Sequence, residues 1–95
     1  AWVETNLASS ASAVKILVAH VSPRDSARFS EEQIIEWETL VTSFGVDYFI
    51  NGHDHTYADG SFGDAALITI GSPSRGAYLE LNINSGDVSH KKVSF

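Results

Sequence analysis

Val46-Asp47-Tyr48-Phe49-Ile50-Asn51-Gly52-His53-Asp54-His55 carries the clearest structural pattern in the chain. Its first five residues form a short β-branched and aromatic run, the pattern of a buried strand. Gly52 then lets the backbone turn sharply, and two histidines follow. Upstream, Val14-Lys15-Ile16-Leu17-Val18-Ala19 is a second short apolar run, expected as a strand covered on both faces, with His20 at its carboxyl end. Between the two runs several signals announce a helix. Ser30 caps the first turn, Gln33 completes a capping box, and Phe29 with Ile34 forms a hydrophobic staple. Ile34, Trp37, Val41 and Phe44 recur at helical spacing, Ile35 and Leu40 widen the stripe, and Gly45 closes it in the left-handed region. Strand, helix and strand in that order predict a right-handed crossover and two parallel strands. Their carboxyl ends then share one rim of the sheet, where ligands bind in such folds.

Outward from this unit the pattern is less regular. Residues 1–7 fit the end of an amphipathic helix, residues 8–13 a small polar connector, and residues 21–28 a charged surface loop. Beyond Tyr57, three short strands are expected over residues 66–70, 77–83 and 88–95, with Asn84-Ser85-Gly86-Asp87 as a hairpin turn. In the middle strand Tyr78, Glu80 and Asn82 alternate with Leu79, Leu81 and Ile83, so one face is expected to be buried. The fold class is α/β: a βαβ unit followed by short antiparallel strands.

Composition narrows the functions available. The chain has 95 residues, 43% hydrophobic and 19% charged, which is a globular balance suited to one modest core. A net charge of -6 with no basic run argues against binding duplex nucleic acid. Bound cations would override that sign locally, so a phosphorylated substrate stays compatible with it. No apolar run approaches the ~18 to 20 residues that cross a bilayer, and no membrane role is expected. With no cysteine there are neither disulfides nor thiolate metal sites. The start at Ala1-Trp2-Val3-Glu4, without an initiator methionine or signal peptide, leads us to expect a piece of a longer protein.

Three of the four histidines fall at the expected rim. Residues two apart on extended backbone point to one side, so His53 and His55 present their imidazoles together while Asp54 points away. Adjacent strands are only ~5 Å apart, which lets His20 join them. A single histidine after a strand is more often a surface or core residue than a ligand; three converging at one rim point to metal. His90, beside Lys91 and Lys92 on a strand expected to be exposed, is read as an ordinary surface residue. Trp37 and Phe44 are read as core, and Glu31-Glu32 as a solvated helix start favoured by the dipole.

Gly52-His53-Asp54-His55, preceded by an apolar strand and by a strand ending in His20 thirty-three residues before His53, resembles the last motifs of the calcineurin-like metallophosphoesterases. Those motifs are a single histidine after a strand, then Gly-His-x-His. The resemblance spans the whole chain: residues 1–7 look like the helix before the first motif, and Gly71-Ser72-Pro73-Ser74-Arg75 like the turn after the site. It implies that residues 1–95 are the carboxy-terminal part of the domain, one half of an αββα sandwich. It also implies that His20 and His53 bind one metal and His55 the other, with two divalent ions (manganese, iron, zinc or nickel) as cofactors. Such enzymes hydrolyse phosphomonoesters or phosphodiesters, and Arg75 would touch a phosphate oxygen, although an isolated arginine more often makes a salt bridge.

The family's Asp-x-His, Gly-Asp-x-x-Asp and Gly-Asn-His motifs are absent from the sequence; Gly63-Asp64-Ala65-Ala66-Leu67 lacks the second aspartate. Three neutral imidazoles alone face two dications poorly, so the expected partner is an amino-terminal half carrying the carboxylates, and the isolated 95-residue chain is expected to be inactive. The rival is a non-catalytic module that holds one ion for structural or docking purposes.

Overall fold

The structure, a computed structural model, describes residues 2–10, 14–53, 57–71 and 76–94. Two helices, α1 (Trp2–Ser9) and α2 (Glu31–Ser43), accompany six strands: β1 (Ile16–Ala19), β2 (Tyr48–Asn51), β3 (Ala58–Phe62), β4 (Ala65–Thr69), β5 (Ala77–Asn84) and β6 (Asp87–Ser94). Strands β1 to β4 form a mixed sheet in the order β1-β2-β4-β3, and β5 with β6 forms a separate hairpin. Among the described residues no helix is long and apolar enough to cross a membrane.

Helix α2 begins and ends as its sequence requires. The Ser30 hydroxyl accepts from the Gln33 amide, and the Gln33 side chain accepts from the Ser30 amide, so two otherwise orphaned donors are satisfied. At the far end Gly45 takes a φ of 66°, and the amides of Gly45 and Val46 reach back to the carbonyls of Thr42 and Val41. This six-to-one and five-to-two pattern turns the chain directly into β2.

Strand β2 is buried along its whole length and separates two apolar clusters by simple alternation. Phe49 faces the helices, packing with Leu7, Val41, Val46, Phe62 and Leu67. Tyr48 and Ile50 face the other way, packing with Ile68 and with Leu79, Leu81 and Val88 of the hairpin. The layers therefore run helices, mixed sheet, hairpin. Phe62 and Ile68 are completely buried, and each contributes roughly 1.5–3 kcal/mol by leaving water.

The parallel pairing of β1 with β2 is as expected, with Ile16 opposite Tyr48 and Ala19 opposite Asn51. Two expectations change. Strand β1 lies at the edge of the sheet and is open rather than covered on both faces, leaving Val18 75% exposed. The segment read as the first of three antiparallel strands, β4, instead runs parallel to β2, because β3 precedes it and pairs with it antiparallel. Strand β3 escaped notice because Ala58-Asp59-Gly60-Ser61-Phe62 has turn-forming composition and only Phe62 is buried. Strands β5 and β6 pair as expected through a Ser85-Gly86 turn with both φ values positive, though Ile83 near that tip is exposed.

The two-residue turn between β3 and β4 is held under α2. Gly63 sits at φ 60°, and a Cβ there would stand 2.4 Å from Thr42 Oγ1 and 2.9 Å from the Glu38 carbonyl. Replacing Gly63 by alanine should lower unfolding stability by about 1–3 kcal/mol, from overpacking added to left-handed strain. Urea titration reads this as a lower midpoint at unchanged slope; an unchanged midpoint would show that α2 does not press on the turn.

Candidate metal-binding rim

His20 is the first residue past β1, and His53 follows β2 by two residues. The parallel register is continued beyond the strands by the Gly52 amide, which donates to the His20 carbonyl at 3.0 Å. Both imidazoles are exposed, and they meet edge to face with ring centroids 5.0 Å apart and Nε2 of His20 3.1 Å from Nδ1 of His53. One of these nitrogens carries a proton and donates to the other, since two facing lone pairs would repel. Nitrogen ligands on one ion, at metal–nitrogen bonds of about 2.0–2.1 Å, stand roughly 2.9–3.4 Å apart, and the separation of this pair falls in that range; a cation would take the place of the proton between them.

His53 has a φ of 77°, a region that residues with a side chain rarely enter. Strain of that kind persists only where surrounding structure holds it, and it gathers at binding sites. The support here is Asn51, 1% exposed, at the end of β2. Its amide nitrogen donates to the Gly52 carbonyl at 3.1 Å, its side-chain oxygen accepts from the Thr69 hydroxyl at 3.2 Å, and its own carbonyl accepts from the Ile70 amide at 2.7 Å. A buried polar side chain with its partners satisfied is a rigid footing for the turn it precedes.

The loop after His20 completes the rim. Arg24 pins it, donating to the Ser61 carbonyl at 3.0 Å and to Glu38 at 2.9 Å while lying over the Phe62 ring. Arg28 donates to the Asp25 carboxylate at 2.7 Å; this bond, then one from the Ala27 amide, holds the Asp25 carboxyl below the usual carboxylate range, with a smaller electrostatic contribution from His53. Asp25 is therefore an anion, fixed in place by the loop's own donors.

Of the residues singled out from the sequence, His20 and His53 come together, whereas His55 and Arg75 lie outside the described residues. Among the described residues no group of three histidine, aspartate or glutamate side chains converges as a metal site would need. His90 is not an ordinary surface residue: it is half-buried and bonded to Tyr48 and Asp59. Asn51 was missed as a residue that supports the rim. It left one trace in the sequence, as the last residue before Gly52 at a strand end.

The fold resembles that of the metallophosphoesterase-like proteins. Among the solved structures that match it are two chains of about twice its length. Protein TM1076 of Thermotoga maritima is 19% identical over 86% of this chain and 48% of its own, with a TM-score of 0.55. A single-mutant Vps29 from Entamoeba histolytica is 17% identical over 82% of this chain and 54% of its own, with a TM-score of 0.44. The chain thus spans about half the length of each, and the Thermotoga likeness, at 19% identity, speaks for the fold alone. No family model matches the sequence, and no curated protein matches it either.

Two buried or half-buried tyrosines set an alkaline limit. Burial first, then the Asp59 and Asp47 carboxylates, pushes the Tyr48 phenol above its ordinary 10.0; burial, then Asp59 and Tyr48, does the same to Tyr57. Raised folded values mean that the unfolded chain ionises first, so this stability is intact below pH 10.0 and is lost as pH rises through the folded values. Urea midpoints should fall as the pH is raised from about 9.5 to about 11.5, across the unperturbed tyrosine value of about 10. Phenolate absorbance developing fully at that unperturbed value, with no loss of midpoint, would contradict the assignment.

Proposed function

We propose that this chain serves a metal-dependent phosphoesterase centre, with His20 and His53 as ligands to one divalent cation and His55 as ligand to a second. The observation that carries the reading is the 3.1 Å approach of two exposed imidazole nitrogens delivered by neighbouring parallel strands. The strained φ of His53 and the buried, hydrogen-bonded Asn51 two residues before it add to the support. The fold resemblance raises the prior for phosphoester chemistry without assigning it.

The substrate class is a phosphomonoester or phosphodiester. Divalent ions held here would polarise phosphoryl oxygens and favour attack by water. The chain's own residues hold and orient: the histidines as neutral nitrogen ligands, and Arg75 as a candidate contact to a phosphate oxygen. Carboxylate ligands able to bridge two ions are supplied, in this reading, by an amino-terminal half of the domain. Among the described residues β1 is an edge strand with Val18 exposed, a place where a further strand would add.

A second reading is a non-catalytic module that holds a single ion. The meeting of just two ligand side chains among the described residues favours it. Metal stoichiometry and activity separate the two. The complete protein should bind two manganese ions and hydrolyse an aryl phosphodiester, while the 95-residue chain should do so no faster than manganese in buffer. His53→Ala in the complete protein should cut turnover by at least about 100-fold, the upper end of what loss of an outer-shell partner costs. Undiminished turnover in that variant, or equal activity in the short chain, would overturn the phosphoesterase reading; one ion and no turnover would favour the module.

A further inference from the structure

The dipeptide Asn51-Gly52 has a chemistry of its own. Asparagine is thermolabile, and a following glycine, having no Cβ, leaves its nitrogen free to reach the asparagine side chain. In that reaction the Gly52 amide gives up its proton and its nitrogen attacks Asn51 Cγ. The new C–N bond forms as the Cγ–Nδ2 bond breaks, and the side-chain NH2 departs with the proton as ammonia. Water then opens the cyclic imide at either carbonyl, leaving aspartate or isoaspartate. No co-reactant other than water takes part.

The closed fold blocks each part of this step. Asn51 pairs with Ala19 on β1 and with Thr69 on β4, so the backbone through it is extended and held from both sides. The attacking nitrogen is engaged, since the Gly52 N–H donates to the His20 carbonyl at 3.0 Å. The electrophile is engaged at both atoms: Nδ2 donates to the Gly52 carbonyl at 3.1 Å, and Oδ1 accepts from the Thr69 hydroxyl at 3.2 Å. Asn51 and Thr69 are both buried, which keeps water from the site.

This guard stands at a strand end. Strands β1 and β2 both stop here, His20 and His53 beyond them are exposed, and His53 is held at a positive φ. Strand ends open at a lower free energy than the whole fold. We propose that Asn51-Gly52 is a guarded deamidation site, inert while the end of β2 is closed and converted when that end opens locally, with the Thr69 hydroxyl as part of the guard. Conversion damages the rim where it occurs. Aspartate lacks the Nδ2 donor that holds the Gly52 carbonyl and brings a charge into a buried position, whereas isoaspartate lengthens the backbone just before His53. None of this requires that the histidines bind metal.

The test follows conversion in the metal-free complete protein by mass spectrometry, with peptide mapping to separate Asn51 from Asn6, Asn82 and Asn84. The same protein unfolded in guanidinium chloride gives the unguarded rate. Asn51 should convert at least about 10-fold more slowly in the folded protein, because a closed site reacts only through its open fraction. Thr69→Val keeps the shape but loses the hydroxyl, and should raise the folded-state rate by about 2- to 10-fold, the effect of one lost hydrogen bond on an opening equilibrium. Gly63→Ala strains the turn at the opposite end of β4 and should leave the rate at Asn51 unchanged. Circular dichroism checks that the variants are folded; where Gly63→Ala is not, guanidinium below the transition lowers stability in its place. Gly52→Ala is the chemical control: its Cβ would meet nothing nearer than the His20 carbonyl at 3.9 Å, and it should slow conversion in the unfolded chain. Equal rates in folded and unfolded protein, or a parental rate in Thr69→Val, would overturn the guard. Acceleration by Gly63→Ala as large as that by Thr69→Val would show that global unfolding sets the rate, and an unfolded Gly52→Ala chain that converts like the parent would rule out the imide.

Discussion

The parallel pairing of β1 with β2 is the constraint on which the rest depends. Four residue pairs set its register, and the bond from the Gly52 amide to the His20 carbonyl carries it past the end of both strands. Parallel strands put their carboxyl ends on one rim, so a side chain just beyond each strand lands beside the other. A slip of one residue would reverse the faces of Tyr48, Phe49 and Ile50, and would also part the imidazoles. Core and rim are thus specified by the same hydrogen-bond ladder.

That register is clamped at its other end by Lys15 and Asp47. The Lys15 amide donates to the Asp47 carboxylate at 2.9 Å, and the Asp47 amide donates to the Lys15 carbonyl at 2.9 Å. The Lys15 ammonium also donates to the carbonyls of Leu7 and Phe44, late in α1 and at the end of α2. A cation at two helix C-termini satisfies carbonyls that have no partner within their helices and is favoured by both dipoles. One lysine therefore joins both helices to the first strand, at the end of the sheet remote from the histidines.

The two faces of the sheet are held by different means. Against the helices the contact is apolar, with Phe49 meeting Trp37 and Phe62 edge to face. Against the hairpin, apolar side chains share the space with the Tyr48, His90 and Asp59 chain, which is directional where the hydrophobic contact is not. Beside it the Tyr57 hydroxyl is buried with no hydrogen-bond partner among the described residues, next to the segment that carries His55. The hairpin face is where polar groups carry specificity in this fold.

By itself, the sequence determined the elements whose cause is local. The capping box at Ser30, the stripe of Ile34, Trp37 and Val41, and the Gly45 stop define α2 because helix ends and faces are set by residues within a few positions of one another. The same local logic marked β1 and β2 and, through their order, the meeting of His20 with His53. Tertiary structure alone decided the rest. Strand β3 exists because β4 pairs with it, not because Asp59-Gly60-Ser61 favours extended backbone. The open face of Val18 follows from its place at the sheet edge, and the bonds of His90 from two strands far away in sequence that pass beneath it. Interactions between segments tens of residues apart leave no periodic mark on either, so they become legible only once the chain has closed on itself.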